Sequence, residues 1–175
     1  MLKAESYAQR ALSAVYDNYK YSDVDCQGFV EKVLTDAGVK KPDGKRYNWR
    51  GSNHIWREAL SEKAEITDIN DIPAGALVFT LVYDGGEKER GYNDNEGNAK
   101  HVGIYCGSGV VRHSTKNTSK DGVQSDRITS KRWTHFGLLS CLDYSLLNSD
   151  NNDIVNSLLS VCSELNKLIN KLRKG

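Results

Sequence analysis

Apolar residues recur at helical intervals through the first third of the chain and in short β-type runs after it. Ala4, Tyr7, Ala8, Ala11, Leu12 and Val15 fall on one side of a 3.6-residue turn and predict an amphipathic helix over 2–16. A polar loop bearing tyrosines follows at 17–24. Phe29, Val30, Val33 and Leu34 predict a second helix from Cys26 to about Ala37, with Asp25 as its N-cap and Gly38 as its stop. After a loop at 39–51, Ser52 can cap a third helix running to about Lys63, with Ile55, Trp56, Ala59 and Leu60 as its buried stripe.

The pattern then changes. Pro73-Ala74-Gly75 reads as a turn into the β-rich run Ala76 to Tyr83. Residues 84–100 alternate glycines with charges and amides, and read as an exposed insertion. His101–Cys106 and Val110–Ser114 are short strands joined by the tight turn Gly107-Ser108-Gly109. Residues 115–126 read as a polar loop, with strands at 127–130 and 136–143. Helices followed by an antiparallel meander predict an α+β fold, N-terminal helices packed on a central antiparallel sheet. Near the C-terminus, Ile154, Leu158, Val161, Leu165, Leu168 and Leu172 step by 4, 3, 4, 3 and 4, an a/d seam that Val155, Leu159, Cys162 and Ile169 widen. Such a helix either packs on its own domain or joins a second copy. The short polar link from Asn148 to Asp153 favours a homo-oligomer through 154–172. The expected division is a domain at 1–147 and a C-terminal amphipathic helix at 150–175.

Composition narrows the classes. The formal net charge of +1 over 175 residues gives no bulk attraction to nucleic acid or to an acidic membrane surface. No stretch approaches the roughly 20 apolar residues of a membrane span. Residues 1–20 carry Lys3, Glu5, Arg10 and Asp17 without the apolar core of a secretory signal. The expectation is a protein made in the cytoplasm with reduced thiols, acting outside the cell only by a non-Sec route. The four cysteines form no C-x-x-C pair, so neither a metal nor a cofactor is expected.

Cys26 carries the chemistry. A thiol attacks as thiolate, and a helix start lowers its pKa through unpaired N–H groups and the positive end of the dipole. A nearby imidazolium lowers it further. His101 can supply that ring if its strand docks against the helix start. In a hairpin turning at 107–109, His113 lies roughly across from His101 and can orient it as third member. Cys106, Cys141 and Cys162 fall in strand or helix stripes and read as small core residues. His54 and His135 read as surface or packing groups.

Three ordered motifs carry a resemblance. Asp25-Cys26-Gln27-Gly28-Phe29-Val30 resembles the D-C-S-G-F-V motif of the NlpC/p60 family of papain-like cell-wall cysteine peptidases. Pro73-Ala74-Gly75-Ala76-Leu77-Val78-Phe79 is similar to that family's P-G-D-L-V-F strand. His101-Val102-Gly103-Ile104-Tyr105, followed by Gly107, Gly109 and His113, resembles its H-V-G-I-Y-x-G-x-G-x-x-x-H segment. The resemblance implies Cys26 as nucleophile, His101 as base and His113 as third member. It implies Tyr19, with Tyr21 second, as the tyrosine that helps hold the oxyanion. It implies a thiol endopeptidase that cleaves peptidoglycan stem peptides, typically between D-glutamate and a diamino acid. The departures are a shorter approach loop, Tyr19-Lys20-Tyr21-Ser22-Asp23-Val24, without the usual glycine pair, and Gln27 in place of serine. Gln27 and Asp25 flank the nucleophile where the substrate's free amine is read. The departures resemble phage-encoded members, endolysins or tail-associated lysins. Two other functions fit the same residues: an amidase or acyl transferase, and a non-catalytic phage structural or binding module.

Overall fold

Ala4, Tyr7, Ala8 and Ala11 repeat every three or four residues, and all four are buried on helix α1 (Ala4–Ala11), which follows the short strand β1 (Leu2–Lys3). The helix is shorter than its apolar pattern. Ser13 is extended (φ −61°, ψ 132°), a 3-10 turn follows at Ala14–Tyr16, and Leu12 and Val15 are exposed. The core takes Tyr16 instead, whose hydroxyl donates to Asp36 at 3.0 Å. The structure, a computed structural model, describes residues 1–84, 92, 94–116, 121–128, 132–145 and 161.

Helix α2 (Cys26–Asp36) forms as its sequence dictates. Asp25 Oδ1 accepts the Gly28 N–H at 2.7 Å, Phe29, Val30, Val33 and Leu34 are fully buried, and Gly38 ends the segment at φ +75°. Helix α3 (Ser52–Glu58) ends well before Lys63. Ser52 is not its cap: Gly51 holds that position at φ +104°, and the Ser52 hydroxyl donates to the Ala99 carbonyl. The chain leaves the helix as strand β2 (Leu60–Glu65), where Leu60 packs on Gly137 so closely that a Cβ there would sit 2.5 Å from Leu60 Cδ1.

The remaining strands are β3 (Leu77–Val82), β4 (Asn98–Tyr105), β5 (Val110–Thr115), β6 (Gly122–Arg127), β7 (His135–Leu139) and β8 (Leu142–Asp143). Six form one antiparallel sheet in the order β2-β7-β3-β4-β5-β6. The α+β expectation therefore holds. Strand β1 pairs in parallel with β8, and Lys3 and Asp143 close that pair at 2.7 Å. The polar stretch expected to be a loop at 115–126 instead contains β6, and the strand expected at 127–130 begins earlier. Every residue of β6 pairs with β5, so the ladder, not an apolar pattern, fixes this strand.

Helices α2 and α3 lie across β4, and Trp56 meets Phe79 ring to ring at 5.1 Å. A second buried cluster gathers Ile72, Ala76, Val78, Tyr105, Val111, Ile128 and Trp133. Strands β4 and β5 pair only at Ile104↔Arg112 and Tyr105↔Val111 and part beyond. The start of α2 meets them there: Ser114 Oγ donates to the Val24 carbonyl at 2.6 Å. Buried Arg112 ties the same strand to the Ala11 carbonyl (3.2 Å) and the Asp17 carboxylate (2.5 Å).

Residues 1–143 form one compact unit and 144–175 a second. The expected seam at 154–172 apart from Val161, which is exposed, together with Cys162 and the expected boundary between 147 and 150, lies outside the described residues, as do 85–91 and 93 of the 84–100 insertion. No helix among the described residues is long and apolar enough to cross a membrane.

Candidate active site

The N-cap Asp25 fixes where α2 begins, and so places Cys26 in its first turn, 8% exposed. The parting of β4 from β5 lets that turn reach the sheet. The Val102 N–H, next to His101, points at the Cys26 sulfur, and the N–H groups of Cys26 and Gln27 also favour a charge there. Burial nonetheless dominates and, with the Asp25 carboxylate, pushes the thiol up to about 11. The expected net lowering by the helix start is not what the free site shows.

His101 and His113 do meet. Two paired positions on β4 and β5 put residues whose numbers sum to 216 opposite each other, so His113 faces Gly103 and sits diagonal to His101 on the same side of the sheet. The absence of a side chain at Gly103 makes this contact available: a Cβ there would lie 3.2 Å from His113 Cβ and 2.9 Å from Trp133 Cη2. His101 Nε2 and His113 Nδ1 are 2.9 Å apart, with the rings at 86°. Trp133 lies against both, tilted 31° to His101 at 5.4 Å and edge-on to His113 at 5.3 Å. Burial first, then His113 and Arg132, lowers His101 to about 3. His113, fully buried, is lowered by burial, with Asp126 pulling the other way. At neutral pH the free site holds a thiol and two neutral imidazoles.

The flanking residues divide. Tyr21 hydrogen-bonds Cys26, and burial, then the charges of Cys26 and Asp25, push its phenol up to about 12. Tyr19 is engaged elsewhere: Lys32 sits 5.2 Å over its ring, and Tyr16 packs beside it at 6.5 Å. The phenol beside the sulfur is thus that of Tyr21, against the expected order. Gln27 hydrogen-bonds Glu31 one turn along the helix, and Glu31 also accepts the Trp49 N–H. Burial raises the Glu31 carboxyl. Trp49 stacks on Tyr47 at 4.9 Å.

A search of the curated proteins finds no match. Among solved structures, the chain resembles the P60 domain of an antigen from M. avium subspecies paratuberculosis at 19% identity and TM-score 0.50, over 81% of this chain and 96% of that one. It resembles the peptidoglycan hydrolase RipB from Mycobacterium tuberculosis at 17% identity and TM-score 0.50, over 81% and 66%. NlpC2 from Trichomonas vaginalis matches at 17% and 0.50, over 78% of this chain but only 46% of that protein. These likenesses concern the fold. The sequence profile of the NlpC/P60 family matches residues 15–139, most of the chain. This chain belongs to the NlpC/P60 family.

Within this NlpC/P60 domain, sequence reasoning missed three residues of the site. Asp126 Oδ2 lies 3.0 Å from His113 Nε2, and Arg132 Nη1 lies 2.9 Å from the same oxygen. Trp133 carries the histidine rings. Reading β6 as a strand would have put Asp126 on the His113 face, because Val111 pairs with Asp126 and His113 with Gln124. Of the residues set aside, His54 accepts the Arg50 N–H on α3, and His135 packs against Trp56 and Tyr83. Cys106 is buried just past β4. Cys141 sits in the turn between β7 and β8, bonded to Tyr47, rather than in a strand stripe. A 410 Å³ cavity at the β4–β5 turn, lined by Ile69, Tyr105, Ser108, Arg127 and Ile128 among others, contains none of the three candidate catalytic residues.

Proposed function

We propose that this NlpC/P60 protein is a peptidoglycan hydrolase, a cysteine endopeptidase that cleaves the stem peptide between D-glutamate and the diamino acid. The observation that carries the reading is the chain of groups from the Cys26 thiol, beside the Val102 N–H, through His101 to His113. A buried thiol alone is a core residue. A thiol in the first turn of a helix, accepting from the N–H beside one of two hydrogen-bonded histidines, suits a nucleophile with its base and orienter. Family membership and the naming of RipB as a peptidoglycan hydrolase support the substrate class.

The steps follow from the residues. As the Cys26 sulfur attacks the scissile carbonyl, its proton passes to His101. Thiol and imidazole are neutral at rest, so transfer and attack are coupled. The oxyanion takes hydrogen bonds from the Cys26 N–H and the Tyr21 hydroxyl. The tetrahedral intermediate collapses, the C–N bond breaks, and His101 returns the proton to the leaving amine. Water, deprotonated by His101, attacks the thioester; the acid leaves and the thiol re-forms. Asp25 and Gln27 flank Cys26 in the chain and Glu31 hydrogen-bonds Gln27, so their oxygens are the acceptors offered to an ammonium group of the stem peptide.

Digestion of purified peptidoglycans of different stem chemistry, with mass spectrometry of the released muropeptides, tests this. Fragments ending at D-glutamate, with a matching free diamino acid amine, are expected. Release of lactyl-linked peptides would indicate an amidase, and products joined to added amines an acyl transferase. No change in any wall would favour a non-catalytic module.

A further inference from the structure

We propose that Asp126, held by Arg132, is a positioning residue that fixes the tautomers of both histidines and leaves His101 Nδ1 as the only ring atom able to take the thiol proton. This rests on the reading of Cys26 as nucleophile and goes beyond it. A carboxylate can only accept. Asp126 Oδ2 lies 3.0 Å from His113 Nε2, off the line of a regular hydrogen bond, yet at that distance a bare Nε2 would set its lone pair against the carboxylate, so the contact favours the proton on Nε2. His113 Nδ1 is then bare and accepts from His101 Nε2, 2.9 Å away. His101 therefore holds its proton on Nε2, and its Nδ1 is free. Without Asp126, His113 can hold its proton on Nδ1 and donate in the opposite sense. His101 would then be protonated on Nδ1 and could not act as base.

The supports of Asp126 match this role. Arg132 Nη1 donates to the oxygen that faces His113, and Gln124 Nε2 donates to the other at 3.3 Å. The carboxylate is thus held from two sides on the edge strand β6, where its side chain keeps 29% exposure. Arg132 also partly cancels its charge. The other charge that acts on the pair is Arg112 on β5, which also opposes an imidazolium at His113. Asp126 and Arg132 act on the histidines with opposite signs: the carboxylate favours an imidazolium and the guanidinium opposes it.

Full-length protein labelled with ¹⁵N-histidine tests this by long-range ¹H–¹⁵N correlation spectra and pH titration, alongside muropeptide release. The wild type should show both histidines protonated on Nε2. Asp126→Ala should mix the His101 tautomers, lower kcat roughly 10- to 100-fold with little change in KM, and move the acid limb of the rate profile to lower pH. Asp126→Asn, whose amide oxygen can still accept, should restore part of the rate. Arg132→Gln, which leaves Asp126 in place, should move the acid limb to higher pH. Unchanged His101 tautomers in a folded Asp126→Ala variant, or shifts of the same sign in the two variants, would overturn the proposal. If the wild type cleaves no wall, the reading of function fails, while the tautomer spectra still decide the role of Asp126.

Discussion

His101 and Cys26 are kept neutral by the same cause, burial. It lowers the imidazole to about 3 and raises the thiol to about 11. The cost of charging them appears as pH dependence of stability. An unfolded histidine titrates near 6.5, so below that pH the unfolded chain binds a proton that folded His101 refuses. Stability is unaffected by this group above pH 6.5 and is lost progressively as pH falls from 6.5 toward 3. Between pH 6.5 and 4.5 the loss from His101 should be about 2–3 kcal/mol. Urea unfolding at the two pH values should show His101→Gln losing less than the wild type by about that amount; equal losses would refute the neutral, buried imidazole. The two tyrosines separate in the same way at this scale. Tyr21→Phe should lower kcat by roughly 100-fold through loss of an oxyanion donor. Tyr19→Phe should change kcat little, because its ring is packed under Lys32.

The elements owe their arrangement to a few backbone positions. Gly103 is one. Gly103→Ala would put a Cβ 2.6 Å from Val111 Cγ1 and 2.9 Å from Trp133, pushing apart the ring stack that carries both histidines. The expected outcome is a stability loss of about 1–3 kcal/mol in thermal unfolding and a larger relative loss of muropeptide release. A folded, fully active variant would contradict the stacked arrangement. The elements also show what was legible in the chain. α2, β3, β4 and β5 were readable because each carries its own signal: a cap, an apolar stripe, or a glycine turn. Besides β1, which was read as helix, the strands the sequence did not place are β2 and most of β6, the two edges of the six-stranded sheet. Leu60–Glu65 is almost wholly exposed and lacks alternation, and β6 is Gly-Val followed by polar residues. Their neighbours β7 and β5 supply the hydrogen bonds that make them strands, and a local pattern cannot record a neighbour. α1 and α3 were read too long for the complementary reason: Leu12, Val15 and Leu60 keep helical spacing after the helix has lost the surface it packs on.

At the scale of the molecule, everything placed at the site lies within residues 1–143, the unit that β1 and β8 close by joining its two ends. A chain truncated after residue 145 should therefore fold and cleave soluble stem peptides with the kcat/KM of the full chain. A loss of more than about tenfold, roughly 1.4 kcal/mol in transition-state binding, would show that 146–175 contributes to the site. The candidate triad was legible because each member sits in a local motif. Asp126, Arg132 and Trp133 were not, because their link to His113 exists only once β6 and the segment before β7 are folded against β5. The central claim is that Cys26 is the nucleophile of a wall-cleaving enzyme. Its most direct test compares muropeptides released from purified peptidoglycan by the wild type and by Cys26→Ala, with matched thermal unfolding to show that both are folded. The wild type should release stem-peptide fragments and the variant none. Equal release by folded Cys26→Ala, or no release by the wild type from any wall, would contradict the account.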